Sequence, residues 1–189
     1  MSRFTRRWFR NRGAEANFQK HFLPLSGARL AYLEIGVFQG ASLHWMLSNV
    51  LTHPESKALA VDPWEKAGRR TQANMDAVFN LACANLRSWI SSGRLLLLRG
   101  HSELVLSAPG RPKFDIAYID GHHGYEHVVF DWQLAWPSLK PGGTVVFDDH
   151  TPGRNRNEGV VRGVSEFIRC NPEARELFDT KYQIAFTKP

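Results

Sequence analysis

Cysteine is scarce in this chain. Only Cys83 and Cys170 occur among 189 residues, far apart and without metal-ligand spacing. Such usage gives no disulfide framework or thiolate metal centre and points to reduced thiols in a cytoplasmic protein. Long apolar runs are also missing, so no segment reads as a membrane span. The N-terminus has no apolar stretch of the secretory-signal type. Acid is absent from the first dozen residues, where Arg3, Arg6, Arg7, Arg10 and Arg12 contribute to a net charge of +6. Such a terminus is a solvated arm, a basic amphipathic helix with Phe4 and Trp8 near one face, or a contact for nucleic acid or an anionic membrane. Internal repeats, low-complexity tracts and domain linkers are lacking too. The length and the 43% apolar content suit one domain with a sizeable core.

The chain is organised around LAYLEIGVFQGASLHWMLSNVL, residues 30 to 51. An apolar run ends at Ile35 and is broken by Gly36 and Gly40. Leu43, Met46, Leu47, Val50 and Leu51 then recur at helical spacing. This predicts a buried strand, a glycine loop and an amphipathic helix. Such a loop collects free backbone N–H groups at the positive end of a helix dipole, where anionic groups bind. A dinucleotide fingerprint has a glycine where this chain has Glu34. A carboxylate there would repel a pyrophosphate and tolerate a ligand carrying a positive centre or hydroxyls.

The preface, residues 1–28, carries Trp8, Phe9, Phe18 and Phe22 and reads as one or two helical turns packed on the main body. Its aromatics are candidates for an acceptor pocket or for packing. A second strand, Ala58 to Val61, ends at Asp62. That acid lies roughly 20 residues past the loop, where dinucleotide folds bind a ribose diol; its other reading is a strand-end cap. Gln72 to Ile90 is helical. A third strand, Arg94 to Leu98, is apolar at its centre, as in a sheet covered on both faces, and leads into Gly100-His101-Ser102-Glu103. The fourth strand, Phe114 to Ile119, ends in Asp120-Gly121-His122-His123. Lys140 to Gly143 reads as a turn. The fifth strand, Thr144 to Phe147, ends in Asp148-Asp149-His150, followed by a basic loop with Arg154 and Arg156. A further helix and two terminal strands complete the chain.

Parallel strands share one carboxyl edge, so Asp120, Asp148 and Asp149 converge. Three carboxylates so close call for a cation or for a raised pKa. Oxygen ligands suit Mg²⁺ or Ca²⁺; His122 or His150 would admit a transition metal. His122, His123 and His150 are candidate bases, since all follow the relevant strand ends.

The loop with Glu34 resembles motif I of class I methyltransferases. The resemblance is strongest to small S-adenosylmethionine-dependent enzymes with Y-I-D-G-x-H followed by L-K-P-G-G-x-x-x-x-D-D. Here these read YIDGHH (Tyr118 to His123) and LKPGGTVVFDD (Leu139 to Asp149). The Asp-Pro-Trp after strand two, the Gly-His-Ser after strand three and Tyr182-Gln183 also look like that family. Catechol-type O-methyltransferases are similar at greater distance, with Asp-Asn where this chain has Asp148-Asp149. The resemblance implies an α/β Rossmann-like doubly wound sheet, mostly parallel with an antiparallel terminal pair, over residues 29–189. It implies S-adenosylmethionine bound by Glu34, Gly36, Gly40, Ser42, Asp62, His101, Ser102 and Asp120, and a divalent cation such as Mg²⁺ on Asp120, Asp148 and Asp149. Catalysis would fall to Asp120, His122 and His150. The expected reaction is O-methylation of a small hydroxylated or glycosyl acceptor; a homodimer stays open. The competing readings are a nicotinamide-dependent oxidoreductase and a non-catalytic nucleic-acid-binding protein that uses the basic terminus.

Overall fold

A computed structural model describes residues 3–6, 8–11, 13–66, 68, 70–107 and 113–189. Arg7 and Arg12 of the basic terminus lie outside these residues. Two short helices, α1 (Trp8–Asn11) and α2 (Ala14–His21), precede strand β1 (Ala31–Ile35) and helix α3 (Ala41–Asn49). Strand β2 (Lys57–Asp62), helix α4 (Gln72–Ser91) and strand β3 (Leu95–Arg99) follow, then β4 (Phe114–Ile119) and α5 (Tyr125–Ala135). The chain ends with β5 (Leu139–Phe147), α6 (Glu158–Cys170), β6 (Arg175–Asp179) and β7 (Ile184–Thr187). No helix among the described residues is long and apolar enough to cross a membrane.

The seven strands form one sheet in the order β3-β2-β1-β4-β5-β7-β6. β3, β2, β1, β4 and β5 are mutually parallel, while β7 runs antiparallel to both β5 and β6. The strand order reverses between β1 and β4, which opens a crevice at their carboxyl ends. The period of two along β1 splits the core. Leu33 and Ile35 join Trp132, Val164 and Phe167 on the α5–α6 face. Tyr32 joins Phe18, Phe22, Leu43, Met46 and Leu86 on the other face. The preface therefore shares the core of the sheet: Phe18 and Phe22 are buried and stack edge to face. The same alternation sends Glu34 to the side of Tyr32 and α3.

Two expectations change. β3 is an edge strand, and Leu96 is 44% exposed, so its apolar run is not covered on both faces. Lys140 to Gly143 is no turn but part of β5. Between the pairs Phe114–Leu139 and Ile116–Thr144 the register shifts, and the extra β5 residues form a bulge. Lys140 Nζ closes it on both oxygens of Asp115, at 2.9 and 2.8 Å. The Gly142 N–H bonds the Lys188 carbonyl at 2.9 Å. Residues suited to a turn serve a bulge because the C-terminal strand supplies partners for their backbone.

Candidate active site

The glycine loop is shaped by what it touches. Gly36 has φ +90°, and a Cβ there would stand 2.1 Å from the Asp120 carbonyl oxygen. Only glycine lets β1 and β4 approach so closely at the crevice. Gly40, at the start of α3, has φ +78°, and a Cβ would meet Leu86 at 2.8 Å. Its role is to pack α3 on α4, away from the cavity described below. Asp62 secures the loop from β2. Its Oδ2 accepts the N–H groups of Val37 and Phe38, both at 2.9 Å. Its Oδ1 accepts the Trp64 N–H at 2.8 Å.

Glu34 and Ser42 lie behind this loop. Glu34 is fully buried. Its carboxylate accepts the Ser42 hydroxyl at 2.6 Å and the Tyr32 hydroxyl at 2.7 Å. Burial raises its pKa to about 8, against the opposing effect of those two donors. Neither residue is among those lining the cavity described below, and the bond between them supports the loop from behind. From behind the loop, Glu34 also repels a pyrophosphate far less than a carboxylate in the cavity would.

A cavity of about 520 Å³ opens at the carboxyl edge of β1, β2 and β4, within the usual range for a ligand site. Gly36, Asp62, His101, Ser102 and Asp120 line it. His101 lies at its rim, 3.3 Å from Glu65. Trp8 of α1 stacks on Phe38 with ring centroids 5.0 Å apart. Arg70 covers the Phe38 ring at 4.9 Å. All three border the cavity.

At the far end stands an acidic cluster. Asp120, His123 and Asp149 each offer a ligand atom, and these atoms lie within 4.8 Å of one another. His123 Nε2 is 3.1 Å from Asp149 Oδ2. Asp149 is held in the left-handed region, φ +54°, with Asn157 donating to its Oδ1 at 3.3 Å. Asp148 does not join that triad. Its Oδ1 is buried without a hydrogen-bond partner, and burial, then Asp149, raise its pKa to about 6. Asp120 is raised well above the usual carboxylate range by burial, then by Asp148 and Asp149. A site that so penalises three negative charges fits a cation, and two carboxylates with an imidazole fit Mg²⁺, Mn²⁺ or a later divalent metal.

Residues 33–150 match the family described as "Methyltransferase domain". The chain belongs to that family. An uncharacterized protein of Acanthamoeba polyphaga mimivirus is 29% identical over 126 residues, which are 64% of this chain and 52% of that one. The chain thus spans about half the length of this curated relative. The O-methyltransferase TomG from Streptomyces achromogenes, involved in tomaymycin synthesis and solved with S-adenosylmethionine, superposes with a TM-score of 0.63 at 16% identity; the match covers 94% of this chain and 80% of TomG. The MycE methyltransferase of the mycinamycin biosynthetic pathway, solved with Mg and S-adenosylhomocysteine, gives 0.60 at 18% identity, over 92% of this chain and 49% of MycE.

In this methyltransferase domain the three candidate histidines separate. His122 borders the cavity. Its ring lies 4.3 Å from that of His127, and its Nδ1 accepts the Gly124 N–H at 3.0 Å. Burial, then His127 and His123, lower its pKa and favour the neutral ring. His123 turns to Asp149. His150 does not border the cavity. The left-handed turn at Asp149 swings the chain to the terminal hairpin, where the His150 N–H bonds the Tyr182 carbonyl at 2.9 Å and Nδ1 lies 3.7 Å from Asp179. The cavity also contains Trp8, one of the preface aromatics, and residues that sequence reasoning passed over: Arg70, His127 and Asp131. Asp131 carried a signal. It sits with Val128, Trp132 and Ala135 on the inward stripe of α5, where a charge needs a reason.

Proposed function

We propose that this domain is an S-adenosylmethionine-dependent O-methyltransferase acting on a hydroxyl of a small hydroxylated or glycosyl acceptor, with a divalent cation on Asp120, His123 and Asp149. The observation that carries the reading is one continuous cavity with Asp62 and Ser102 at one end and the acidic triad at the other. S-Adenosylmethionine, when bound, supplies an electrophilic methyl group. Gly36 lets the loop close on the Asp120 carbonyl at the cavity wall, and the lone pair that Asp62 Oδ1 keeps beside the Trp64 N–H suits a ribose hydroxyl. A divalent cation on the triad would lower the pKa of an acceptor hydroxyl. His122 borders the cavity and can take the proton only at Nδ1, on releasing the Gly124 N–H that this nitrogen accepts. Trp8 and Phe38 offer an apolar wall to the acceptor, with Arg70 beside them.

Calorimetric titration of S-adenosylhomocysteine, with and without Mg²⁺, tests the reading. Saturable binding at one site is expected, followed by methyl transfer to a hydroxylated acceptor that chelation suppresses. Absence of binding in both conditions would remove the methyltransferase activity. Full turnover after exhaustive chelation would remove the metal and keep the rest.

A further inference from the structure

A second cavity, of about 400 Å³, is again large enough for a small ligand. Among the described residues it shares only Phe9 with the first cavity. Helix α3 gives one side of it. Ala41, His44 and Trp45 border the space, and spacings of three and four residues put them on one helical face. The N-terminal segment gives the other side, with Phe4, Arg6 and Phe9. The Phe4 ring meets His44 edge to face with centroids 5.5 Å apart, and the Phe9 ring lies 6.2 Å from that of Trp45. Asn85 accepts the Arg3 N–H and Gln39 the Thr5 N–H, both at 2.8 Å. These bonds anchor the segment, so the rings have partners before any ligand arrives.

The charge of this space is not balanced. Glu15 is the one acid among its described lining residues, and Arg10, also in the lining, pairs with it at 2.8 Å. Arg6 makes no ion pair with a described residue; its guanidinium lies 5.8 Å over the Trp8 ring. Arg10 gives Glu15 one of its five N–H donors and keeps others for a second acceptor. Burial lowers the His44 pKa, so that ring adds no charge at pH 8. A cation in excess beside the rings of Phe4, Phe9 and Trp45 suits a ligand with an anionic group on a flat apolar body. We infer that this groove binds a small flat aromatic anion, at a site separate from the S-adenosylmethionine cavity. The site goes beyond the methyltransferase reading and does not depend on it. Phe9, common to both cavities, is the residue through which a ligand here would bear on the first.

The test uses two fluorescent probes at pH 8: anilinonaphthalene sulfonate, an aromatic anion, and phenylnaphthylamine, the same body without the sulfonate. Wild type should bind the sulfonate saturably at one site. Arg6→Gln/Arg10→Gln should weaken the sulfonate by about tenfold, the order expected for two partly exposed charged contacts, and leave the uncharged probe within about twofold. Phe4→Ala should weaken both probes, since it removes a ring that each would touch. Arg70→Gln, which removes a cation from the first cavity, should change neither. Amide exchange should slow at Phe4, Thr5 and Phe9 when the sulfonate binds, and stay unchanged at His101 and Ser102. Should Phe4→Ala disturb the fold by circular dichroism, the arginine variants and the exchange pattern still decide. Absence of saturable sulfonate binding overturns the inference. So does loss of binding in Arg70→Gln with protection at His101 and Ser102, which would place the probe in the first cavity. An equal loss of both probes in Arg6→Gln/Arg10→Gln overturns it as well, because the anion would then not be what the groove recognises.

Discussion

Gly36 shows how little freedom the site allows. Its φ of +90° and the 2.1 Å that would separate an added methyl from the Asp120 carbonyl oxygen are two obstacles to any side chain. Gly36→Ala should weaken S-adenosylhomocysteine binding by about 10- to 100-fold, from roughly 1–3 kcal/mol of backbone strain. Unchanged affinity by calorimetry would show that the loop relaxes freely. The candidate metal ligands can be sorted the same way. His123 stands in the triad and Asp148 outside it. His123→Ala should lower Mn²⁺ affinity by at least about tenfold, and Asp148→Asn by much less. The reverse order in a Mn²⁺ titration would restore the all-aspartate site that strand ends alone suggest.

Among the elements, the basic N-terminal strap forms a wall of the cavity. Asn85 of α4 accepts the Arg3 N–H at 2.8 Å and donates to the Arg3 carbonyl at 2.9 Å. Gln39 accepts the Thr5 N–H at 2.8 Å and donates to the Thr5 hydroxyl at 2.6 Å. Both amides are buried, so their bonds are shielded from competing water. Arg10 pairs with Glu15 at 2.8 Å, and Arg6 lies over the Trp8 ring. These ties bring Trp8 to the cavity. Asn85→Ala should cost about 1–3 kcal/mol and speed hydrogen exchange at the Arg3 and Thr5 amides while the sheet stays protected. Exchange unchanged at those amides would mean that Trp8 and Phe9 alone hold the strap.

For the whole molecule, the buried acids set a pH dependence. Glu34 and Asp120 have raised pKa values in the fold. The folded chain therefore holds protons that the unfolded chain has released, and stability falls as pH rises through their folded values. Asp148 and Asp131 act lower, near pH 6. There His44, His122 and His150, whose pKa values burial lowers, work in the opposite sense. The clean window is about pH 7 to 9, above the histidine range. Across it the metal-free protein should lose Tm, Glu34→Gln should flatten the slope, and Mn²⁺ should restore stability by binding the ionised cluster. A Tm that rises over this window would contradict the buried-acid account.

The sequence by itself determined what local periodicity and chain order can encode. The period of two and the glycine loop specified β1 and α3; the motifs shared with class I methyltransferases implied a doubly wound sheet; the acids at strand ends pointed to one edge for the candidate site. Those signals are local because backbone geometry repeats within a few residues. The tertiary structure decided which way each side chain points. It turned Glu34 and Ser42 inward to each other, drew His150 away through one left-handed residue, and put His123 in the triad in place of Asp148. It made an edge strand of β3 and a bulge of Lys140 to Gly143. It also joined Asp131 to Ser102, 29 positions apart. These outcomes depend on contacts between segments distant in the chain, and such contacts exist only once the sheet is closed.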